Sequence, residues 1–527
     1  MASLLERTPR NFWSKVYNNI GFGYEAGGNT YVECARKILL SSYYDLPYHL
    51  RACLLHLHIF PENYLIKKES LIWKWSAEGL IVEQPGRGLF ELGEEYLKEL
   101  INRNVVMPVE DDSHCGEIIG CRVHYLVLEM IWYLCTEENF VTVLDGNEQY
   151  FLVEGMTRRL AVQKWATEQG DPLAKIIRQG RLRSFYSMGC HFSAELSLSR
   201  FRFLRVIAIE ECTFGEGNLS GLEHLGKLHL LRYISLYGTA IKKLPEEIGD
   251  LIYLQTLDLM RTGVRELPEG VARLRQLKCL RTDILEVPYW SNWAGNLASL
   301  EELRLGQLRE LRELAIAIEH LHEKQNETLV RSMRKLEKIQ ILRLRSFSDA
   351  LNLEGFDPPG QLRELHLSIT PSRLLAWINV SRIPILSHLY VNVGAVTEQD
   401  LENLGSLPEL ISLDLVLQSD AVLGISDRNG VFPRLRYFGT SAVVRFLPGA
   451  MPRLEFLRMG INVQALEDAN VNFDSDFVAS TWENLPSLQK VVVRLSSTGD
   501  VDAIDEALKR AVDQHTNRPS LHVSIVN

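Results

Sequence analysis

The sequence predicts an α/β fold in which a small helical domain precedes a solenoid of short repeats with a parallel sheet. The first observation behind this prediction is a unit that occurs twice between Leu231 and Leu274, with a period of 23 residues. The second is the region 31–145, where apolar residues follow helical spacing before two short apolar runs flank a polar tip. The first pattern predicts stacked strands, and the second predicts packed helices with a hairpin.

The repeated unit has the apolar pattern L-x-x-L-x-L. Its apolar positions recur 23 residues later, so that Leu231, Ile234 and Leu236 become Leu254, Leu257 and Leu259. Side chains alternate on a strand, so the apolar positions face one way and the intervening positions face the other. This spacing is typical of leucine-rich repeats, whose units bury their apolar sides only by stacking into a curved solenoid.

The same pattern predicts repeats from residue 181 onward. Their first apolar positions are Leu182, Leu204, Leu231, Leu254, Leu277, Leu300, Ile339, Leu362, Leu386, Leu410, Leu435, Leu454 and Leu488. The long step before Ile339 indicates an insertion, and helical spacing within residues 309–336 predicts one or two helices on the convex side. A helical face around Leu508 and an alternating segment at 521–525 predict a C-terminal cap, which covers the end of a solenoid core.

Residues 31–145 predict a winged-helix domain. Three helical patterns lead into apolar runs at 105–107 and 118–119, which are typical of a β-hairpin. A helix that reads DNA is basic, whereas the third helix carries four acidic residues. These are Glu91, Glu94, Glu95 and Glu99. We therefore expect no DNA binding by this domain.

The sequence divides into four expected segments. Residues 1–30 are the remnant helix of a preceding helical subdomain, and residues 31–145 are the winged helix. Residues 146–180 are a linker with an opening strand near Leu160. Residues 181–527 hold the leucine-rich repeats and their cap.

Composition excludes several classes of protein. The chain has 527 residues and a formal net charge of −10, which disfavours a nucleic-acid binder. Its eight cysteines form no Cys-x-x-Cys pair, which favours a reducing compartment over a disulfide framework. No apolar run reaches about 18 residues and no signal peptide is evident, so we expect no membrane span. A cytoplasmic location follows, with the nucleus as the alternative.

The sequence offers no arrangement typical of an enzyme. It shows neither a Ser-His-Asp set nor a pair of carboxylates placed for acid–base work. Four residues could be read as a zinc set, but their spacing fits no standard zinc site. They are His114, Cys115, Cys121 and His124. We therefore expect no catalytic residue and no metal.

Several segments resemble the plant nucleotide-binding leucine-rich-repeat immune receptors. Leu54–Leu65 (LLHLHIFPENYL) resembles their winged-helix motif, and Leu71–Ile81 (LIWKWSAEGLI) resembles the segment that follows it. Arg122–Val127 stands where that family has its Met-His-Asp motif. Trp13–Ile20 is similar to the helix before the winged helix, and Arg158–Leu160 to the strand that opens the repeats. The resemblance implies an intracellular receptor that takes part in plant defence.

The chain also departs from that family. The family's motif histidine, matched here by His124, reaches the β-phosphate of bound ADP, but Val123 and Tyr125 replace its neighbours. The pattern G-x-x-x-x-G-K-[ST] that cradles phosphates is missing, because the nearest match, Gly221–Leu228, ends in leucine. The resemblance implies ADP or ATP for the full-length family. For this chain we expect no cofactor, and His124 would bind nucleotide only if a nucleotide-binding domain were supplied.

Three functional hypotheses follow. The first is a non-enzymatic fragment of an immune receptor, truncated at its N-terminus, whose repeats bind a protein and restrain the receptor. The second is that the chain is one piece of a complete ADP/ATP-switched receptor. The third is a general leucine-rich-repeat scaffold or adaptor, which leaves the features of residues 50–130 unexplained.

The outward positions of the repeats offer a candidate protein-contact surface. In order they are Ser235, Asp258, Arg281, Arg304, Arg343, His366, Tyr390 and Asp414. The four positions from Arg281 to His366 are basic or can become so, and with Tyr390 they predict contact with an acidic protein surface. The candidates are a pathogen effector, a host protein that the receptor guards, or the receptor's own domains. The alternative is that Glu301, Glu302 and Glu364 already neutralise the basic side chains.

The same alternation predicts which positions matter for stability. Leu257 should lie in the core, so its replacement by Ala should cost about 2–5 kcal/mol. Asp258 should face outward, so its replacement by Ala should cost less than about 0.5 kcal/mol.

Overall fold

A computed structural model of the chain describes part of each segment. The described residues are 30–82, 84, 87–110, 118–144, 157–163, 181–192, 201–214, 220–285, 305–318, 323–346, 351–369, 371–418, 422–425, 432–464, 475–496 and 501–526. They form two compact units, the first from residues 30–110 and 118–263, the second from residues 264–526. The expected helix at Trp13–Ile20, the repeat position Leu300 and Arg304 lie outside the described residues.

The first unit begins with five helices. They are α1 (Thr30–Tyr44), α2 (Tyr48–His56), α3 (Lys68–Glu78), α4 (Leu89–Asn102) and α5 (Tyr125–Glu138). Their apolar faces pack together, and Leu71 and Trp75 of α3 are fully buried. Gly79 ends α3 with φ +74°, a left-handed backbone conformation that glycine adopts without strain.

A small antiparallel sheet completes the winged helix. Its strands are β1 (Ile66–Lys67), β2 (Met107–Glu110) and β3 (Ile118–Arg122), in the order β1-β3-β2. Gly120 lets β3 approach β1, because a Cβ atom there would lie 2.2 Å from the carbonyl oxygen of Ile66. The predicted hairpin and the helices before it are confirmed.

The first unit also contains parallel strands that run in chain order. They are β4 (Thr142–Leu144), β5 (Arg159–Gln163), β6 (Ser184–Met188), β8 (Val206–Glu210), β10 (Tyr233–Ser235) and β11 (Thr256–Leu259). Two short strands, β7 (His191–Phe192) and β9 (Thr213–Phe214), pair beside them. Ile234 is in register with Leu257, as the 23-residue period predicts. The opening strand expected near Leu160 is β5, and it pairs in parallel with β6.

The second unit is built on a longer parallel sheet. Its strands are β12 (Cys279–Leu285), β13 (Glu313–Ile318), β14 (Ile341–Ser346), β15 (Glu364–Ser368), β16 (His388–Val393), β17 (Ser412–Leu417), β19 (Tyr437–Thr440), β21 (Phe456–Ile461), β22 (Lys490–Ser496) and β23 (Ser520–Val526). A separate pair is formed by β18 (Val422–Ile425) and β20 (Val443–Phe446). The helices are α6 (Glu323–Met333), α7 (Glu398–Gly405), α8 (Ser475–Trp482) and α9 (Val501–Gln514). The last helix and strand form the predicted cap, since β23 pairs with β22 and the apolar face of α9 is buried. The predicted α/β fold with a large parallel sheet is confirmed.

One expectation about the second unit is wrong. Residues 309–336 were expected to be helical, but 313–318 form strand β13, which pairs with β12 and β14. The segment reads E-L-A-I-A-I, and its unbroken apolar run after Glu313 suits a strand whose side chains are buried on both faces. In the described part of that stretch, the α-helix is Glu323–Met333.

Candidate functional site

The outward positions of the second unit follow one column across the sheet. The register places these residues side by side in the order Arg281, Ala315, Arg343, His366, Tyr390 and Asp414. Ala315 therefore stands between Arg281 and Arg343. The expectation of four consecutive basic side chains from Arg281 through Arg304 and Arg343 to His366 is wrong, because β13 supplies the intervening strand.

The two described arginines of this column are held by carboxylates. Glu313 is fully buried, and its Oε1 lies 3.4 Å from Nε of Arg281 and 3.1 Å from a terminal nitrogen of Arg343. The other terminal nitrogen of Arg343 lies 2.8 Å from Oε2 of Glu364. Two arginines and two carboxylates thus alternate, and their formal charges cancel. Glu364 has the neutralising role that the alternative interpretation gave it, and Glu313 adds a second carboxylate.

Beyond these ion pairs the column becomes aromatic. The rings of His366 and Tyr390 stack with their centroids 4.0 Å apart and their planes 17° apart. Nε2 of His366 also lies 3.0 Å from the hydroxyl oxygen of Ser368. Both rings are half-buried, so each keeps part of its surface available to solvent. The pair is a preorganised ring surface with little conformational freedom left to lose.

The next outward residue, Asp414, is buried. It accepts hydrogen bonds from the hydroxyl of Tyr437 at 3.1 Å and from the guanidinium of Arg458 at 2.5 Å. Gly439 leaves room for its carboxylate, since a Cβ atom there would lie 1.9 Å from Oδ1. Tyr437 then packs with Phe456 and Val492 in an apolar cluster. The outward face of the second unit therefore changes from paired charges to aromatic and apolar side chains along the sheet.

In the first unit the winged helix covers the outward face of the parallel strands. Lys74 of α3 forms an ion pair with Glu210 of β8, with Nζ 2.8 Å from Oε1, and both side chains are buried. One turn later, Glu78 forms an ion pair with Arg159 of β5 at 2.8 Å. Sequence reasoning missed this interface. The signal was present, because Lys74 and Glu78 interrupt the apolar pattern of α3 at a spacing of four residues.

A tyrosine and a histidine extend this network. The hydroxyl of Tyr186 donates to Oε1 of Glu78 at 2.7 Å, and Nε2 of His56 lies 2.9 Å from the same hydroxyl. Because that hydroxyl gives its proton to the carboxylate, His56 must donate through Nε2. Its Nδ1 has no partner among the described residues.

Burial controls the protonation of this network. Burial lowers the pKa of His56 from 6.5 to about 3, with Glu78 opposing the shift and Arg159 and Lys74 adding to it. For Glu78, burial alone would raise the pKa. The positive charge of Arg159 and the hydrogen bond from the hydroxyl of Tyr186 bring that pKa below its usual value. The network therefore holds a charged glutamate beside a neutral histidine.

Burial contradicts the expectation about two outward positions of the first unit. Ser235 and Asp258 were expected to be accessible, but they are 0% and 4% exposed. Oδ1 of Asp258 accepts a hydrogen bond from the backbone N–H of Met260 at 3.1 Å. Asp258 is thus a buried, hydrogen-bonded residue, and its removal should cost more than the 0.5 kcal/mol expected from the sequence.

Comparisons with known proteins fit this architecture. The chain matches a leucine-rich repeat region over residues 181–521 and a disease resistance protein winged helix domain over residues 59–131. Disease resistance protein RGA5 of Oryza sativa subsp. japonica is 26% identical over 552 residues, which cover 98% of this chain and 48% of that protein. The chain belongs to the leucine-rich-repeat disease resistance proteins of plants.

Other members of this family align over similar lengths. Disease resistance protein PIK6-NP of Oryza sativa subsp. japonica is 27% identical, covering 99% of this chain and 56% of that protein. Putative disease resistance protein At1g59780 of Arabidopsis thaliana is also 27% identical, covering 85% and 51%. The chain thus spans about half the length of these curated relatives.

Solved structures show a weaker similarity. A TDR receptor structure is 15% identical with a TM-score of 0.41, covering 70% of this chain and 62% of that chain. The leucine-rich-repeat protein LIC12759 of Leptospira interrogans is also 15% identical, with a TM-score of 0.34, covering 67% and 92%.

The family's nucleotide motif is represented here by His124. It precedes α5 as the N-cap residue, and its Nδ1 accepts a hydrogen bond from the backbone N–H of Leu126 at 3.2 Å. Because Nδ1 is the acceptor, the proton of the neutral ring is on Nε2, which could donate to a phosphate oxygen. That is one contact of the several that a nucleotide needs.

Over the described ranges, no group of three or more His, Cys, Asp and Glu side chains could hold a metal ion. Of the helices that the structure describes, none combines the length and the apolar character needed to cross a membrane.

Proposed function

We propose that this chain acts in plant defence as the protein-binding part of a disease resistance receptor and has no catalytic role. The support is the family to which it belongs, together with relatives in rice and Arabidopsis that are named disease resistance proteins. A solenoid of this kind presents a broad surface rather than a reactive pocket. Its partner is a protein: a pathogen effector, a guarded host protein or another part of the receptor. Its site of action is the cytoplasm.

The contact surface is centred on the stacked pair of His366 and Tyr390. Aromatic side chains dominate the energetics of protein interfaces when their positions are already fixed. The ion pairs of Arg343 on one side and Asp414 on the other hold the neighbouring positions of the column. Arg281 and Arg343 orient this surface, but they do not give it a net positive charge, because Glu313 and Glu364 neutralise them. The partner is therefore recognised through ring contacts and hydrogen bonds more than through charge.

The first unit supplies the restraining role. The ion pairs of Lys74 and Glu78 join the winged helix to β8 and β5, so these elements move as one body. Breaking either pair would leave an unpaired charge in a buried site, which costs several kcal/mol. This interface is the part of the chain that transmits a change in the repeats to the winged helix.

A second candidate function is a part in nucleotide exchange. In it, the chain is one piece of an ADP/ATP-switched receptor, and His124 contacts the nucleotide held by another domain. The assignment of the ring proton to Nε2, which follows from the hydrogen bond that Nδ1 accepts from Leu126, supports this candidate. A general scaffold or adaptor is disfavoured by the winged-helix match over residues 59–131.

Proximity labelling in plant leaf cells tests the proposed contact surface. The variant His366→Ala/Tyr390→Ala should lose labelled partners that the wild-type chain retains, and each partner should then be purified and tested by calorimetry. Ile385→Ala/Ile411→Ala is the matched control, since both residues are exposed at the starts of neighbouring strands. Equal partner sets and equal affinities for both variants would reject this surface. Arg343 is unsuitable for the test, because its removal would leave the buried Glu313 with one fewer partner.

A further inference from the structure

A surface cavity of about 790 Å³ lies in the second unit, between two turns and one face of α6. Four cationic side chains line it, two from the turns and two from the region of the helix. They are Arg275, Arg309, Arg331 and Lys335. The proposed contact surface on the outward side of the sheet shares none of these residues, so the cavity is a separate feature.

The repeat architecture builds the cavity. Arg275 and Arg309 occupy the same position in successive turns, two residues before the buried Leu277 and Leu311. Arg331 and Lys335 are four residues apart, so they project from one side of the helix and of the turn that follows it. The two walls are in close contact at Gly306. A Cβ atom there would lie 2.7 Å from Cδ of Lys335 and 3.1 Å from the carbonyl oxygen of Ser332.

The described lining residues do not neutralise the positive charge of the cavity. All four cationic residues are exposed, and none of them forms an ion pair with another described residue. Within the described lining the acidic residue is Glu310, whose Oε1 lies 2.6 Å from Nζ of Lys338. Four positive charges and one negative charge give the lining a formal charge of +3 in a chain whose net charge is −10. A general excess of basic residues therefore does not explain this concentration.

The rest of the lining is polar, and among the residues that the structure describes it contains no apolar or aromatic side chain. Neutral hydrogen-bonding groups come from Gln276, Gln307, Thr328 and Ser332. A nucleotide or single-stranded nucleic acid would gain affinity from ring stacking, which these residues do not offer. A peptide would gain affinity from buried apolar side chains, which they do not offer either.

We propose that this cavity binds a compact anion that carries two or more phosphate groups on a small polar carrier. Guanidinium groups donate paired hydrogen bonds to phosphate oxygens, and three arginines allow several such contacts. Lys335 adds a mobile positive charge, and the amides and hydroxyls complete the coordination of the remaining oxygens. The same chemistry is offered by a free phosphorylated metabolite and by a phosphorylated lipid headgroup.

Calorimetry with sodium tripolyphosphate tests the site in the purified full chain at physiological salt. Arg331→Gln/Lys335→Gln should weaken binding at least about tenfold, because it removes two of the four cations. Lys242→Gln/Lys243→Gln is the matched control, since it removes the same charge from exposed residues outside the cavity. It should leave the affinity within about twofold of wild type.

Two outcomes would overturn the proposal. One is an equal loss of affinity in both double variants, which would indicate diffuse attraction to the surface. The other is that tripolyphosphate binds no more tightly than sulfate.

Sedimentation with phosphatidylcholine vesicles, with and without a bisphosphorylated inositol lipid, then distinguishes the source of the phosphate. If the wild-type chain sediments with the vesicles that contain the lipid and the cavity variant does not, the natural ligand is a lipid headgroup. If the wild-type chain binds tripolyphosphate but no vesicles, the natural ligand is a free anion.

Discussion

Lys74 and Glu210 form an ion pair between the winged helix and the parallel sheet, with side chains only 1% and 6% exposed. Nζ of Lys74 also donates to the hydroxyl of Ser70 at 2.7 Å and lies 5.5 Å from the centre of the Tyr233 ring. Such a pair specifies which surfaces meet, because either charge alone would be unpaired in a buried site.

Removing one partner of this pair should destabilise the first unit strongly. Lys74→Met should lower the free energy of unfolding by about 3–5 kcal/mol, because Glu210 would keep a buried and unpaired charge. Lys74→Met/Glu210→Met should recover most of that loss. Urea denaturation of the single and double variants measures the coupling, with Lys68→Met as the control at a more accessible pair. A double variant as unstable as Lys74→Met would contradict the pairing.

The buried histidine should make stability fall in mild acid. The pKa of His56 is about 3 in the folded chain against 6.5 when unperturbed, so below pH 6.5 the unfolded chain binds a proton that the folded chain does not. Folding stability should therefore decrease as the pH falls from 6.5 toward 3, by up to about 1.4 kcal/mol per pH unit. His56→Gln keeps a donor for Tyr186 and should flatten this dependence between pH 6.5 and 5, which denaturation at each pH would show. An unchanged slope would mean that His56 is protonated in the folded state.

Much of the fold follows from the sequence because the repeat spacing is physically constrained. The alternation around Leu257 allows one register only, since a slip by one residue would turn the leucines to the other face. Strand β13 was missed because E-L-A-I-A-I lies beside charged segments with helical spacing, and a short apolar run does not decide between helix and strand. The position between Arg281 and Arg343 was consequently assigned to Arg304 instead of Ala315.

The interface between the winged helix and the sheet was not predictable in the same way. Lys74 and Glu210 are separated by 136 residues, and their pairing depends on how two elements meet in space. The sequence showed that a charged residue interrupts an apolar helix face, but it did not show which residue forms an ion pair with it. The ion pair between Arg343 and Glu313 could not be predicted for the same reason. Predicting it would have needed the position of β13 in the sheet and its register with β14.

Replacing a core leucine should cost far more than replacing an exposed apolar residue of the preceding repeat. Leu257→Ala should lower the free energy of unfolding by about 2–5 kcal/mol, because the side chain is fully buried and stacks in register on Ile234. Ile252→Ala, at a side chain that is 55% exposed, should cost less than about 0.5 kcal/mol. Asp258→Ala should fall between them, at about 1–3 kcal/mol, since it removes a buried side chain that accepts a hydrogen bond from the half-buried backbone N–H of Met260. Denaturant midpoints in a different order would contradict the register.

A methyl group at Gly439 should disturb the buried Asp414. The Cβ atom of Gly439→Ala would lie 1.9 Å from Oδ1 of Asp414 and 2.7 Å from the hydroxyl of Tyr437, so the carboxylate would have to move away from its hydrogen-bond donors. We expect a loss of about 1–3 kcal/mol in the free energy of unfolding, as for other overpacked sites. Gly424→Ala is the control, because nothing lies within 4 Å of a Cβ atom there. Thermal unfolding of the two variants should separate them, and equal stabilities would show that Asp414 can relocate without loss of its contacts to Arg458 and Tyr437.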